Sequence, residues 1–262
     1  MTQHMYIQML YRRENKEVLM SMVILSLLLL WPNSSCNCNP DSTWFKLELN
    51  LGGRWQQGNL SQFGIQPALR MQVGHTLYHV DLQSSYQLLQ AGEFTLIDDF
   101  WTQGKLSWAK KRSIYPVIAM NYGYALSYRI DQSFLMGVGF GSELQQKNSR
   151  TSLQVNLFTG YLHFNFEGQS PSKSGVLGSL IELALPLGKS ASFGWQAQSY
   201  HPLGNNNFWG INSAMQFNYT ISKQFSLQTN YQFIFNNQTV MDIKKVNTLL
   251  LFGFRYQLFT PK

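Results

Sequence analysis

The strongest constraint on the fold of this chain is an alternation of apolar and polar residues with a period of two. The stretch from Phe45 to Trp55 reads FKLELNLGGRW, with apolar residues at nearly every odd position and polar residues or glycine between them. Successive side chains of a β-strand point to opposite faces. The stretch therefore predicts a strand that is apolar on one face and polar on the other.

The same alternation recurs along nearly the whole chain and predicts about twelve strands, an even number, as closed bacterial barrels have. Some connectors are tight, at Gly74-His75, Gly188-Lys189-Ser190 and Ser222-Lys223-Gln224. Longer polar connectors, at Glu167 to Ser174, Pro202 to Asn207 and Asn236 to Lys245, follow odd-numbered strands. Short turns at one end of a barrel and longer loops at the other are typical of outer-membrane barrels.

The composition distinguishes a membrane barrel from a soluble sheet, which shows the same alternation. Charged residues make up 13% of the chain and aromatic residues 15%, whereas about a quarter charged is usual in soluble domains. The polar positions are rich in Gln, Asn, Ser and Gly. Aromatic residues near strand ends predict girdles at the lipid–water boundaries: Trp44, Phe45, Trp55, Tyr78, Trp108, Tyr128, Trp209, Tyr219, Phe225 and Tyr256.

The predicted fold is therefore all-β, a transmembrane antiparallel up-and-down β-barrel of the cell outer membrane, over residues 44–262. An apolar run from Val18 to Trp31 follows basic residues and precedes PNSSCNCNPDS. This arrangement is typical of a secretory signal peptide, predicted for residues 1–36 with cleavage near Cys36-Cys38. Residues 37–43 would form a short mature tail. Lipid attachment at Cys36 is the alternative.

The net charge of +7 and the pI near 9.4 come from scattered basic residues. The two short basic runs, Lys110-Lys111-Arg112 and Lys244-Lys245, lie between predicted strands and are expected in solvated turns. Without a nucleic-acid-binding motif, this charge does not predict nucleic-acid binding. The expected partners are outer-membrane lipid, lipopolysaccharide and the barrel-assembly machinery during insertion, and the oligomeric state is left open.

Strand parity predicts a polar cluster inside the barrel. The apolar positions are odd in the first two strands, so their connector holds an odd number of residues, most simply Gly58-Asn59-Leu60, which places Glu48 opposite Arg70. The apolar positions become even in the third strand, so its connector holds an even number of residues. A two-residue turn at Gly74-His75 would place Arg70 opposite His79, one step from Asp81. We therefore predict a lumen cluster of Glu48, Arg70, His79 and Asp81. Pro67 is expected to remove one ladder bond without a bulge.

Three stretches carry a resemblance to a known family. They are LNLGGRWQQGNLSQF near the start, YRIDQSFLMGVGFGSEL in the middle, and YTISKQFSLQTNYQFIFNN followed by KKVNTLLLFGFRYQLF at the end. In this order they resemble the salt-induced outer-membrane protein family known as domain of unknown function 481, over about Phe45 to Phe259. The segments between strands are less acidic than is usual in that family. The resemblance implies an outer-membrane barrel and brings no agreed activity or catalytic residues.

The sequence shows no arrangement typical of catalysis, and we expect no enzyme, cofactor or metal. No serine among Ser84, Ser85, Ser127 and Ser152 has an evident base, and Asp98-Asp99 is interpreted as a solvated loop start. The favoured function is a structural or stress-related envelope protein, or a narrow polar pore. The alternatives are a lipid-acting outer-membrane enzyme and a soluble periplasmic barrel that binds a ligand.

Overall fold

The structure is a computed structural model, and it describes residues 43–56, 62–75, 77–91, 94–108, 113–145, 151–168, 170–204, 209–237 and 245–260. The predicted signal peptide and residues 37–42 of the predicted tail lie outside this part of the chain. No helix in these ranges is long and apolar enough to cross a bilayer.

Twelve strands and one short helix make up the regular structure of the described residues. The 3-10 helix Leu126–Tyr128 joins the fifth and sixth strands. The strands are β1 (Trp44–Gln56), β2 (Gln62–Gly74), β3 (Tyr78–Ala91), β4 (Phe94–Trp108), β5 (Tyr115–Ala125), β6 (Ile130–Gln145), β7 (Ser152–Phe166), β8 (Ser172–Leu187), β9 (Ala191–Pro202), β10 (Gly210–Thr220), β11 (Phe225–Asn236) and β12 (Val246–Thr260).

The strands form one closed antiparallel barrel in which each strand pairs with the next along the chain. The barrel closes where β12 pairs with β1, from Phe45 opposite Thr260 to Gly52 opposite Gly253. The up-and-down barrel predicted from the alternation is confirmed. We call the end at which β1 begins and β12 ends the terminal end, and the opposite end the distal end.

The two faces of the sheet differ as the alternation predicts. Outward apolar side chains are exposed, with 58% of Leu51 and 66% of Phe140 accessible. Inward polar side chains are buried, with only 4% of Glu48 and 5% of Lys105 accessible. The apolar residues of the strands therefore cover the outside of the barrel instead of packing between two layers.

The register of the first three strands confirms one predicted pair and corrects the other. Glu48 lies opposite Arg70 as predicted, although the connector between their strands lies outside the described residues. Arg70 lies opposite Gln83, not His79, whereas His79 lies opposite Gly74. The parity was correct, so these side chains still share one face, but the partner of Arg70 lies four residues farther along β3 than predicted.

His75 is hydrogen-bonded at both its backbone and its ring within the β2–β3 turn. The backbone N–H of His75 donates to the carbonyl of Tyr78 at 2.8 Å, and the His75 ring nitrogen Nδ1 accepts from the N–H of Leu77 at 3.2 Å. A side chain that accepts a turn hydrogen bond takes the place of a backbone acceptor.

Pro67, near the middle of β2, does not shift the pairing. The register is the same on both sides of it, which confirms the prediction of no bulge.

One wall of the lumen is apolar, which the sequence did not predict. Inward side chains from neighbouring strands pack there as a buried cluster: Ala119, Ala125, Ile130, Leu135, Phe158, Leu162, Phe164, Val176 and Leu180. Tyr128 packs against this cluster, and the Trp44 ring lies over Gly74 and beside His79. Trp44 and Tyr128 therefore face the interior, and the prediction that they belong to a lipid-boundary girdle was wrong.

Candidate functional site

The lumen of the barrel contains two cavities that differ in chemistry. The charged chamber, of about 380 Å³, lies toward the terminal end and is lined by seven acidic or basic side chains: Lys46, Glu48, Arg70, Asp81, Lys105, Glu143 and Glu182. The amide chamber, of about 320 Å³, lies toward the distal end, and its lining includes seven glutamines and four asparagines. Gln66, Gln83 and Gln196 line both chambers, so the two cavities meet near the middle of the barrel.

Two members of the predicted lumen cluster contact each other directly. Arg70 donates from Nε to Asp81 Oδ1 at 2.9 Å and from Nη2 to Asp81 Oδ2 at 2.5 Å. This two-pronged geometry is the strong form of an arginine–carboxylate pair. Gln72 Nε2 donates to the same carboxylate at 2.9 Å. The predicted association of Arg70 with Asp81 is therefore present, across the β2–β3 pair.

The other two predicted members have different neighbours. Glu48 forms salt bridges with Lys46 and Arg255, so this carboxylate lies where β12 closes the barrel against β1. The His79 ring lies 5.5 Å from the Trp44 ring, centre to centre. Both side chains line the charged chamber, Glu48 beside Arg255 and His79 beside Trp44. The predicted cluster is therefore divided between three places on one wall.

Glu182 of β8 connects this wall to the opposite side of the barrel. Its carboxylate forms a salt bridge with Lys105 of β4 and lies 3.7 Å from Arg70 Nη2. Lys105 Nζ also donates to Gln154 Oε1 at 3.4 Å. We call Arg70, Asp81, Lys105 and Glu182 the cross-lumen cluster.

Sequence reasoning missed Lys105 and Glu182 because they lie far apart along the chain and on strands that do not pair. Each is an inward-facing charge within an alternating strand, as Asp81 is. A search for all inward-facing charges would have found both residues, but the bridge between them depends on the shape of the closed barrel.

Amide side chains bridge the lumen on the distal side of the cross-lumen cluster. Gln196 Nε2 of β9 donates to Gln103 Oε1 of β4 at 2.9 Å. Asn121 Nδ2 of β5 donates to Gln198 Oε1 of β9 at 3.2 Å. These bonds join strands that are not neighbours in the sheet, so side chains brace the middle of the barrel.

Asp99 lies inside β4 and not in a loop, which corrects the interpretation of Asp98-Asp99 as a solvated loop start. It is 5% exposed, and it accepts hydrogen bonds from the N–H and Oγ of Ser127 at 3.1 and 2.5 Å. The carboxylate thereby holds the start of the connector that contains Tyr128. Burial, with a smaller contribution from Asp99, raises the pKa of Tyr128 to about 12, so this phenol is protonated at neutral pH.

Histidine side chains lie against aromatic rings at both ends of the barrel. The His75 ring stacks on Tyr78 at 5.1 Å and the His201 ring on Trp209 at 5.4 Å. Among the described residues, no group of three or more His, Cys, Asp or Glu side chains has the arrangement of a metal site.

Comparison with known families assigns the chain to a group. The model of the family described as protein of unknown function, DUF481, matches residues 49–258. The chain belongs to the DUF481 family. The match spans the barrel from β1 into β12, so the resemblance to domain of unknown function 481 is confirmed. No curated protein sequence matches significantly.

Several solved barrels are similar to this DUF481 protein at low sequence identity. The NanC porin has a TM-score of 0.47 and 12% identity, over 82% of this chain and 99% of that chain. An outer membrane channel from Pseudomonas putida F1 has a TM-score of 0.47 and 8% identity, over 87% and 98%. The translocator domain of the autotransporter NalP from Neisseria meningitidis has a TM-score of 0.41 and 11% identity, over 93% and 97%. At these values no function is transferred from them.

Proposed function

We propose that this DUF481 protein is a bacterial outer-membrane barrel whose braced lumen is a narrow polar pore for water and small ions. The observation that carries the proposal is that two cavities inside a closed barrel share polar lining residues. A closed sheet leaves no unpaired strand edge, which is the condition for crossing hydrocarbon with strands.

The outer surface of the barrel supports a membrane location. Outward side chains at the middle of the strands are apolar and exposed, as Val138, Leu157 and Phe252 are. At the terminal end the exposed outward residues include Trp108, Tyr219 and Phe225, and the Phe225 and Tyr256 rings contact at 5.0 Å. An apolar band bounded by aromatic residues matches the lipid-facing surface of outer-membrane barrels and is unfavourable for a soluble barrel.

The cross-lumen cluster would form the most charged part of the pore. Two basic side chains, Arg70 and Lys105, face two acidic ones, Asp81 and Glu182. Because the charges balance, the field along the axis is weak, and we expect little discrimination between anions and cations. The bridging side chains restrict passage to solutes of about the size of hydrated ions.

Conductance of the purified full-length barrel in planar bilayers tests the proposal. We expect small, discrete current steps in KCl, with a reversal potential near zero in a salt gradient. A bilayer that stays sealed at all voltages, although folded protein has been inserted, would reject the pore.

A structural role in the envelope is the second candidate, and the bridges across the lumen favour it because they resist flattening of the barrel. The resemblance to salt-induced outer-membrane proteins supports a link to osmotic stress. The test is whether the protein level rises in cells grown at high salt, and whether deletion sensitises cells to detergent there. Unchanged levels and unchanged sensitivity would reject this role.

The proposed partners are outer-membrane lipid and lipopolysaccharide around the barrel, and the barrel-assembly machinery during insertion. Outer-membrane location itself is tested by cell fractionation. A lipid-acting enzyme remains an alternative hypothesis, and incubation with labelled phospholipid and lipopolysaccharide tests it, because unchanged lipids would reject it.

A further inference from the structure

The amide chamber has the composition of a site for a neutral solute. Among the described residues that line it, Asp99 is the one ionisable residue apart from tyrosines, and its carboxylate is already engaged by Ser127. The other polar lining residues are mostly Gln and Asn, which carry both donors and acceptors. Among the described lining residues an anionic ligand would find no basic side chain, and a cationic one would find only the engaged Asp99, whereas hydroxyl groups would find partners of both kinds.

Part of the chamber wall is apolar and aromatic. Trp101, Tyr128 and Tyr200 line the chamber and pack against the buried apolar cluster behind them. The Trp101 ring lies against Gly123, where an added Cβ would come within 2.4 Å of it. The neighbouring strand therefore supports this ring as a flat platform. Small-molecule sites typically combine such an apolar surface with a few fixed polar groups.

Two buried acceptors in the chamber lack a partner within the described part of the chain. They are Asn121 Oδ1 and Gln66 Oε1, and both residues line the chamber. Asn121 is held in place because its Nδ2 donates to Gln198. A buried acceptor without a donor is unfavourable, so both oxygens would gain from a ligand that brings hydroxyl donors.

We propose that the amide chamber binds a neutral mono- or disaccharide. Such a sugar has an apolar C–H face for the Trp101 platform and hydroxyl edges for the amides. A cavity of about 320 Å³ lies at the lower end of the range for small-molecule sites. The binding does not depend on ion conduction, so it goes beyond the proposed pore. For so small a ligand we expect a dissociation constant on the order of 1 mM.

Saturation-transfer NMR on the full-length protein in lauryldimethylamine oxide, a detergent without a sugar, tests the proposal. Glucose and maltose are the probes, and gluconate and glucosamine are the charged comparators. We expect signals from the neutral sugars at least fivefold stronger than from the charged ones. Because no bilayer is involved, failure of the pore in conductance measurements does not affect this result.

Variants assign any signal to the chamber. Trp101→Leu removes the aromatic platform. Asn121→Leu replaces the amide with an apolar side chain of similar volume. Each change should weaken glucose binding at least fivefold. The matched control is Trp108→Leu on the same strand, because Trp108 is outward and 54% exposed. A folded barrel migrates faster on a detergent gel before boiling than after it, and this difference identifies the variants that fold. Absent sugar signals, equal signals from gluconate, or undiminished binding in both folded chamber variants would overturn the proposal.

Discussion

At the scale of single residues, Glu182 is the side chain on which the braced lumen most depends. Its carboxylate pairs with Lys105, which is 5% exposed, and also faces Arg70. A buried ammonium group needs an opposite charge or several hydrogen bonds to offset its lost hydration. Gln154 at 3.4 Å provides only one weak contact. Removal of the Glu182 charge would therefore leave an excess of positive charge in the cross-lumen cluster.

We predict that Glu182→Gln shifts the reversal potential of the barrel in a KCl gradient toward anion selectivity. The same change should lower the free energy of unfolding by about 2 kcal/mol, because a hydrogen-bonded charge pair is lost. Bilayer recording and urea unfolding in lipid vesicles measure the two effects. The matched control is Glu167→Gln in an exposed turn. Identical selectivity and stability in Glu182→Gln and wild type would contradict the role given to Glu182.

At the scale of elements, the contact between β6 and β7 shows why glycine alternates with apolar residues in β6. The inward glycines of β6 face the inward side chains of β7. A Cβ on Gly139 would lie 1.9 Å from the Leu157 carbonyl oxygen and 2.5 Å from Phe158 Cα. Both are backbone atoms, so no rotation of a side chain would relieve the overlap. The close approach of the two strands, and the burial of Phe158 beside them, depend on the missing side chain.

We predict that Gly139→Ala lowers the free energy of unfolding by about 1–3 kcal/mol, as overpacking typically does. The control is Gly194→Ala in β9, where an added Cβ has no atom closer than 4.0 Å. This second change should be neutral or slightly stabilising, since it restricts the unfolded chain. Urea midpoints in lipid vesicles compare the two variants. Equal urea midpoints for the two variants would contradict the claim that the stability of the barrel depends on the close approach of β6 and β7 at Gly139.

At the scale of the whole molecule, the barrel is apolar on its outer surface and charged inside, whereas a soluble protein is polar outside and apolar inside. Apolar side chains form that surface along the strands, while most buried charges lie inside the lumen. In water such a surface would favour aggregation. In a bilayer the same side chains lie in hydrocarbon, and the closed ladder satisfies the backbone polar groups. The location of the protein should therefore determine how it responds to a charge added to its outer face.

We predict that Val138→Arg destabilises the barrel by about 2–4 kcal/mol in lipid vesicles, because Val138 is outward at mid-strand, where the bilayer is most apolar. Val246→Arg, at the first position of β12, should lower stability by only about 0–1 kcal/mol, because charges near the interface are tolerated. Reversible urea unfolding measures both. Small, equal effects would instead indicate a soluble barrel.

The sequence by itself determined the strand architecture, since the period of two is a property of each short segment of chain. It also determined which face most strand residues occupy, and the parity of the connectors placed Glu48 opposite Arg70. The tertiary structure alone decided what meets inside the barrel. The His75 turn moved His79 away from Arg70, and closure brought β12 with Arg255 to Glu48. The shape of the closed barrel set Glu182 against Lys105, because contacts across a lumen depend on strand tilt and curvature, which no local pattern encodes.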